Sequence, residues 1–322
     1  MNTRVKYSII VPVYNEELVI RETYRRLKEV MGRTGESYEL LFVNDGSTDL
    51  TADIIQRICD WDETVKLINF SRNFGHQIAI TAGMDYSVGD AVVVIDADLQ
   101  DPPELILDMI QKWKDGYDVV YARRIERKGE TWFKKQMARI FYRVLQLFTE
   151  IDIPLDTGDF RLLDRKVCNE MKRLTEKNRF VRGMVSWVGF RQTAVEYVRE
   201  ERAAGETKYP LKKMIKLSLD GLTSFSLKPL KLAAYGGGIL AAAGAIDLLV
   251  IALTNLVVAG PVSGWHIMVS TQLLIGGSIL AALGIIGEYI GRIYDETRDR
   301  PLYIVKDCYG TRKKASGRKG VV

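Results

Sequence analysis

Two carboxylates, Asp96 and Asp98, follow a short run of apolar, β-branched residues at Ala91–Ile95. Such a run predicts a buried parallel strand, and residues at the carboxyl end of a strand in an α/β sheet face the crevice where ligands bind. Carboxylate oxygens suit Mg²⁺ and Mn²⁺, so the pair could hold such an ion against a diphosphate. An ordinary turn with helix-capping carboxylates explains the same residues, and this segment alone does not decide between the two.

Polar residues follow two other predicted strands in the same way. Asn15 and Glu16 come after the strand Ser8–Val13, and Asn44–Asp49 ends the strand that begins at Glu39. The carboxyl ends of parallel strands lie on one edge of a sheet, so we expect these polar groups to converge. All three strand ends in this order favour a binding site over isolated turns.

The residue types at these strand ends predict roles toward a nucleotide. Asp45 is placed to accept hydrogen bonds from a base or a ribose, while Gly46 lets the backbone turn. Pro12, Tyr14 and Asn15 would shape the wall of a nucleotide slot.

The elements that must position these residues alternate between strand and helix patterns, which predicts a doubly wound, mostly parallel α/β sheet. Strands are predicted at Ser8–Val13, Glu39–Asn44, Val65–Asn69, Ala91–Ile95 and Val119–Ala122, and helices at Glu17–Met31, Thr48–Asp60, Gln77–Ser87 and Pro103–Lys114. Further helices are predicted at Arg165–Leu174 and Phe180–Trp187, and a further strand at Thr193–Arg199.

Two apolar segments near the C-terminus are each long enough to cross a membrane. The mean hydropathy of the chain is only -0.05, yet residues 248–287 contain no Asp, Glu, Lys or Arg. Segments 232–256 and 265–287 therefore predict a transmembrane hairpin, since a span needs about 20 apolar residues. Lysines and arginines flank this hairpin and are missing from its loop, which places both termini in the cytoplasm. A buried helical hairpin of a soluble protein is the alternative.

These patterns divide the chain into four parts. We expect a cytoplasmic α/β domain at 1–209, an amphipathic interfacial helix at 210–231, two transmembrane helices at 232–291 and a basic cytoplasmic tail at 292–322. Small residues within the spans predict close helix packing and a homo-oligomer, with a tetramer possible. The three cysteines do not have the spacing of a metal site. The net charge of +5 is modest, and no nucleic-acid partner is expected.

The chain resembles the family 2 glycosyltransferases of the GT-A fold, a Rossmann-like fold, in the order and spacing of three motifs. These motifs are Val11–Glu16, Asn44–Asp49 and Asp96–Asp98. Asp98–Glu104 and the two C-terminal spans resemble the polyprenyl-phosphate sugar transferases, the group of bactoprenol glucosyltransferase and dolichol-phosphate mannose synthase. The resemblance covers essentially the whole chain. It implies a nucleotide-sugar donor, Mg²⁺ or Mn²⁺, and a lipid-phosphate acceptor.

On matching positions, the resemblance implies a donor site. Asp96, Asp98 and Gln100 would hold the metal and the diphosphate, with Asp98 a catalytic residue. The nucleotide sugar would be bound by Pro12, Tyr14, Asn15, Glu16, Asp45, Asp96 and Lys208. The segment Arg202–Tyr209 matches the family's mobile Arg…Gly-x-Ser-Lys-Tyr motif, with Thr207 in place of Ser. Arg202, also a catalytic candidate, and Lys208 would close over the phosphates, although a flexible linker before the membrane explains the segment as well.

The acceptor side is predicted from acidic and basic residues. Asp159 lies in a segment, Asp156–Arg161, that resembles the family's acceptor-side motif. We expect it to position the site, because a phosphate nucleophile is largely ionised at pH 7 and needs little proton abstraction. Arginine and lysine suit phosphate recognition, although many basic faces are merely solvated. The predicted ligands of the lipid phosphate are Arg123, Arg127, Lys135 and Arg139.

Together these features predict metal-dependent, inverting transfer of a sugar to polyprenyl (undecaprenyl) phosphate at the cytoplasmic face of the inner membrane. UDP-glucose is the favoured donor, with GDP-mannose and a UDP-amino sugar left open. A processive polysaccharide synthase would carry a Gln-x-x-Arg-Trp motif, which the chain lacks. A nucleotidyltransferase would leave the lipid-facing half without purpose. A non-catalytic, membrane-anchored nucleotide-binding scaffold would need no metal pair.

Overall fold

The computed structural model describes residues 4–127, 157–199 and 264–310, together with helical positions 239 and 246. The first range contains β1 (Tyr7–Val13), α1 (Ile20–Gly32), β2 (Tyr38–Asn44), α2 (Thr51–Cys59), β3 (Val65–Phe70), α3 (His76–Tyr86), β4 (Ala91–Val94), α4 (Leu105–Lys114) and β5 (Val119–Arg127). The second contains β6 (Thr157–Asp164), α5 (Arg165–Arg173), α6 (Val181–Trp187) and β7 (Gln192–Arg199). The third contains α7 (Gly264–Thr297) and β8 (Val305–Tyr309).

The described strands form one mixed sheet in the order β7-β5-β6-β4-β1-β2-β3-β8. β1 pairs in parallel with both β2 and β4, β2 pairs in parallel with β3, and β5 with β7. The pairs β4–β6, β5–β6 and β3–β8 are antiparallel. The chain builds outwards from β1 through β2 to β3 and then returns to the other side of β1 for β4. This reversal is the topological switch point at which open α/β sheets bind ligands, and the predicted fold class is confirmed.

β1 is buried along its whole length, as expected of a strand with helices on both faces of the sheet. Its side chains at Ile9 and Val11 join the main core. α1 contributes Ile20, Leu27 and Met31 to the same core, because their spacing places them on one face of the helix.

β1 extends beyond its neighbour β4, and Pro12 lies where the two strands part. The register of the pair ends at Ile10 opposite Val94, and the carbonyl of Ile10 accepts a hydrogen bond from the Ile95 amide at 3.0 Å. The backbone groups of successive residues point to alternate sides of a strand, so the nitrogen of Pro12 faces the same side as the carbonyl of Ile10. β4 has already ended on that side. Proline has no amide hydrogen and is normally excluded from central strands. It is tolerated here because, among the described strands, none pairs with β1 at this position on the side of β4.

β8 belongs to the segment 292–322, for which the sequence predicts a tail. The strand pairs antiparallel with β3 and places Asp307 opposite Asn69. Half-buried residues at 305, 307 and 309 alternate with exposed ones at 306 and 308. An alternation of only five residues is too short to predict a strand from the sequence. Pairing with β3 determines this strand more than its own residue pattern does.

The chain divides into two compact units, and α7 belongs to the unit formed by Val144–Glu150 and Ile215–Arg300. α7 has 34 residues and contains the second predicted span. Its part Ile275–Thr297, of mean hydropathy 1.2, is long and apolar enough to cross a membrane, by length and composition only. Several of its apolar side chains are exposed, among them Ile275, Ile279, Leu283, Ile286, Ile290 and Ile293. The interfacial segment 210–231 lies outside the described residues, as does 232–256 apart from positions 239 and 246.

Asp62 ties α1 to the turn before β3. Its carboxylate accepts hydrogen bonds from Tyr24 Oη (2.7 Å) and Lys28 Nζ (2.6 Å) of α1, and from the amide (3.0 Å) and hydroxyl (2.7 Å) of Thr64. Burial disfavours the charged carboxylate, but these donors outweigh burial and lower the pKa of Asp62 from 3.8 to about 2. The stability that they supply is present above pH 3.8 and is lost as the pH falls through about 2.

We expect Asp62→Asn to lower the free energy of unfolding by about 2 kcal/mol at pH 7, because each unit of pKa shift corresponds to about 1.4 kcal/mol. The difference from wild type should shrink under acidic conditions. Urea unfolding of the full chain in detergent, followed by tryptophan fluorescence, measures it. Glu22→Gln, which removes an exposed carboxylate paired with Arg25, should leave stability unchanged. An Asp62→Asn variant as stable as wild type at pH 7 would contradict the assignment.

Candidate functional site

The first two predicted motifs meet at the carboxyl edge of the sheet. The amide of Asn15 donates to Ser47 Oγ (3.0 Å), and Asn15 Oδ1 accepts the amide of Thr48 (2.8 Å). The amide of Glu16 donates to Thr51 Oγ1 (2.8 Å). Asn15 adopts a positive φ of 54°, which asparagine tolerates better than most residues. The loop after β1 is therefore fixed by the loop after β2.

Asp45 is buried, and its carboxylate orders the loop that follows β3. It accepts the amides of Phe74 (2.7 Å) and Gly75 (3.0 Å). Burial raises the pKa of Asp45, while these two hydrogen bonds oppose the rise. A Cβ on Gly46 would lie 2.5 Å from the carbonyl carbon of Arg72, so glycine permits the two loops to pack backbone to backbone. The predicted role of Asp45 toward a base or ribose stays a prediction beside this ordering role.

Asp96, Asp98 and Gln100 lie just beyond β4, at the carboxyl edge of the sheet. Asp98 is buried, and its Oδ1 accepts the amide of Gln100 at 3.2 Å. Leu99 has a positive φ of 58°, a conformation that costs of order 1 kcal/mol for a residue with a Cβ. Strain of this kind concentrates at functional sites, because the surrounding structure must hold it in place.

Asp96 and its neighbours have the residue types that bind a divalent cation. Asp96 Oδ1 is shielded from solvent and accepts no hydrogen bond from the described residues, although His76 Nε2 lies 3.4 Å away. Within the described ranges, no three His, Cys, Asp or Glu residues come together as a metal site. Two carboxylates and one amide are the partial set that Mg²⁺ takes when substrate phosphates and water complete its shell. The residues fit the predicted ion, and their ligand roles stay predictions.

Burial raises the pKa of Asp96 to about 6. His76 opposes this rise, and the neighbouring carboxylates of Asp159, Asp101 and Asp98 add to it. Asp96 therefore takes up a proton in mildly acidic conditions.

Asp159, the predicted acceptor-side residue, lies buried in β6 and is surrounded by donors. Arg182 of α6 donates to it through Nε (2.8 Å) and Nη2 (3.2 Å). Gln77 Nε2 lies at 3.1 Å and His76 Nε2 at 3.2 Å, both from Oδ2. Burial favours the neutral acid, but Arg182 and His76 outweigh burial and hold the pKa of Asp159 well below its usual range. An ionised carboxylate held by this many donors suits the predicted positioning role better than proton abstraction.

His76 links the two halves of the crevice. Its Nε2 lies between Asp159 Oδ2 (3.2 Å) and Asp96 Oδ1 (3.4 Å). Burial disfavours the imidazolium, but these two carboxylates outweigh burial and raise the pKa of His76 to about 9. Sequence reasoning missed His76, Gln77 and Arg182. His76 and Gln77 follow β3 at the same sheet edge, so the expectation that polar residues after parallel strands converge could have identified them. Arg182 does not follow a strand, and its sequence position does not indicate a role in the site.

Arg123, predicted to bind the lipid phosphate, is half-exposed and pairs with Glu196. Its neighbour Arg124 is largely buried. Arg124 Nε donates to Tyr197 Oη at 2.9 Å, and Nη2 lies 3.5 Å from Asp101 Oδ2. Tyr197 Oη also donates to Asp101, so this cluster ties β5 and β7 to the loop after Asp98.

The remaining predicted residues are placed as follows. Pro12 is buried in β1, and Tyr14 is 38% exposed beside it. The side chain of Arg127 and the residues Lys135, Arg139, Arg202 and Lys208 lie outside the described residues. Their roles stay predictions.

Comparison with known proteins identifies close relatives of the chain. The model of the family described as glycosyl transferase family 2 matches residues 8–172. The uncharacterized glycosyltransferase YkcC of Bacillus subtilis (strain 168) is 65% identical over 98% of this chain and 97% of its own. The bactoprenol glucosyl transferase of Shigella phage SfII is 41% identical over 95% of this chain and 99% of its own. A crystal structure of glucosyl-3-phosphoglycerate synthase from Mycobacterium tuberculosis has a TM-score of 0.46 at 21% identity, covering 68% of this chain and 79% of that chain.

The chain has only two histidines, which makes the titration of His76 measurable by NMR of ¹³C-labelled histidine. We expect its midpoint near pH 9. Asp159→Asn should lower the midpoint by about one unit or more, because one of two flanking carboxylates is lost. His266→Gln assigns the second signal, and Asp118→Asn, remote from the crevice, serves as the matched control. A wild-type midpoint at or below 6.5 would contradict this assignment of the cluster.

Proposed function

Because the chain belongs to glycosyl transferase family 2, we propose that it transfers a glucosyl unit from UDP-glucose to polyprenyl phosphate at a membrane surface. Relatives named bactoprenol glucosyl transferase align with almost the entire chain and support both the sugar and the lipid acceptor. The exposed apolar side chains of α7 support the membrane location. The observation that carries the proposal is His76 Nε2 between Asp96 of the donor motif and Asp159 of the acceptor-side strand.

In the proposed reaction, an oxygen of the lipid phosphate attacks the anomeric carbon of the sugar. The bond between that carbon and the β-phosphate oxygen breaks, UDP leaves with the electron pair, and the anomeric configuration inverts. The nucleophile is already ionised, so no side chain has to remove a proton. The catalytic contribution of the protein is to align the two reactants and to balance their charge.

The donor half of the site is proposed on the carboxyl ends of β1, β2 and β4. Asp96, Asp98 and Gln100 would hold Mg²⁺ or Mn²⁺, which when bound neutralises charge on the departing diphosphate. The loops after β1 and β2, fixed to each other through Asn15, would form the nucleotide wall.

The acceptor half depends on charge balance. A lipid phosphate is an anion, and the crevice already contains several carboxylates, so an approaching phosphate would be repelled unless cations offset them. His76 and Arg182 supply two such cations beside Asp159, and Arg124 supplies another beside Asp101. We propose that Asp159 orients His76 and Arg182. The basic residues that would complete the phosphate contacts are Arg123, Arg127, Lys135, Arg139, Arg202 and Lys208.

The membrane arrangement is part of the proposal. We propose two spans in the inner membrane, with both termini and the α/β unit on the cytoplasmic side, and assembly as a homo-oligomer. The placement of lysines and arginines around the apolar segments supports this orientation.

We expect Asp98→Asn to reduce glucosyl transfer at least about 100-fold while the fold persists, because the change removes a charged ligand of the proposed cation. Transfer of radiolabel from UDP-glucose to polyprenyl phosphate in detergent measures the loss, and circular dichroism monitors the fold. Asp108→Asn, an exposed Asp on α4, is the matched control and should retain activity. Wild-type turnover by folded Asp98→Asn would overturn the assignment.

A donor comparison tests the reaction itself. Purified wild-type enzyme with polyprenyl phosphate should form a labelled lipid from UDP-glucose in preference to GDP-mannose or a UDP-amino sugar. Chelation with EDTA should abolish the product, and Mg²⁺ or Mn²⁺ should restore it. Preference for another donor would correct the sugar. No lipid product from any donor would overturn the function in favour of a non-catalytic nucleotide-binding protein.

A further inference from the structure

We propose that Asp307 of β8 is a positioning residue for the donor site, acting through a row of side-chain amides that crosses the sheet. The proposal rests on the proposed function in one respect, namely that the loop after β2 contacts the nucleotide. It gives a role to a C-terminal strand that contains none of the predicted site residues.

The amide row occupies one register level of three neighbouring strands. Asp307 of β8 lies opposite Asn69 of β3, and Asn69 lies opposite Asn44 of β2. Asn69 Nδ2 donates to Asp307 Oδ1 (2.5 Å), and Asn44 Nδ2 donates to Asn69 Oδ1 (3.0 Å). Asn44 and Asn69 are both buried, so these hydrogen bonds are shielded from water.

The row ends in the loop after β2. Asn44 Oδ1 accepts the amide of Ser47 at 3.0 Å. Ser47 Oγ in turn accepts the amide of Asn15 at 3.0 Å. Side chains from the C-terminal strand therefore connect, link by link, to both loops proposed to form the nucleotide wall.

The carboxylate of Asp307 fixes the direction of the row. An asparagine can present either its oxygen or its NH₂ group to a neighbour, and both orientations fill nearly the same space. A carboxylate accepts only, so Asn69 must turn Nδ2 toward Asp307 and Oδ1 toward Asn44. Asn44 is then obliged to turn Oδ1 toward the amide of Ser47. The reversed row would set Asn44 Nδ2 against the Ser47 N–H, leaving buried donors without an acceptor.

β8 is held in place by contacts other than Asp307. The carbonyl of Ile304 accepts the amide of Ser71 at 2.9 Å. The ring of Tyr303 stacks on Phe70 with centroids 5.1 Å apart, and its hydroxyl donates to Asp85 at 3.0 Å. Removal of the Asp307 carboxylate is therefore expected to disturb the row without releasing the strand.

The test uses the full chain in detergent with the variants Asp307→Ala and Asp307→Asn. Lys306→Ala, the adjacent exposed position on the same strand, is the control. One readout is hydrogen exchange of peptides that contain the Ser47 amide, measured by mass spectrometry. The second is calorimetric binding of UDP in the presence of Mn²⁺, and the third is the KM for each substrate.

We expect Asp307→Ala to accelerate exchange at Ser47 and to weaken UDP binding roughly tenfold, since leaving the buried Asn69 donor without its acceptor has effects of this order. Asp307→Asn retains an acceptor but permits the reversed row, so its effect should be intermediate. The KM for the sugar donor should rise while the KM for the lipid phosphate stays constant, a split that general destabilisation would not produce. Lys306→Ala should match wild type in all three readouts.

Wild-type exchange at Ser47 and wild-type UDP binding in Asp307→Ala would overturn the proposal. If Asp307→Ala does not fold, the nearly isosteric Asp307→Asn decides alone, and unchanged exchange and binding in that variant would overturn it. A wild-type enzyme that binds no UDP would count against the proposed function instead, and exchange at Ser47 would still decide whether Asp307 orders the loop.

Discussion

β1 and β4 run side by side only as far as Ile10 and Ile95, and the site depends on where they part. A parallel sheet whose order reverses at this pair leaves a crevice at the carboxyl ends of the strands, because the connecting helices leave in opposite directions. Pro12 fits the parting because its missing amide hydrogen faces the side that β4 has left. The loops that carry the polar residues therefore lie at the same edge of the sheet. The path of the backbone brings them together, whichever side chains they carry.

Charge compensation is the second requirement of the crevice. Carboxylates from the loop after β4 and from β6 are brought close together, and burial disfavours the charged forms of Asp96 and Asp159. The pKa shifts of Asp96 and Asp159 are opposite in direction. Among the described hydrogen bonds, Arg182 donates to Asp159 and keeps it ionised, whereas burial dominates at Asp96. His76 lies between them and remains charged at neutral pH. The cluster therefore contains both negative and positive side chains, which suits ligands that combine a metal cation with phosphate anions.

The sequence predicts the parts of this architecture that depend on local pattern. Apolar runs and the polar residues after them locate β1, β2 and β4, and with them the three motifs. β6 and β8 escape prediction because antiparallel pairing with distant strands defines them. The burial of Arg124 beside the half-exposed Arg123 escapes prediction for a related reason, while the phosphate role of Arg123 stays a prediction. Adjacent residues of a strand face opposite sides, so only the register shows which arginine is buried, and a one-residue shift would exchange them.

The position of β8 after α7 in the chain has a consequence for biosynthesis. Every motif of the proposed active site has left the ribosome long before residue 305 is translated, yet until then β3 is an unprotected sheet edge. Such an edge readily pairs with other chains. A nascent polypeptide would have to keep this edge covered while α7 is made, which links completion of the enzyme to completion of its apolar segment. Chains that stall before β8 would contain every proposed catalytic residue and would still be prone to aggregate.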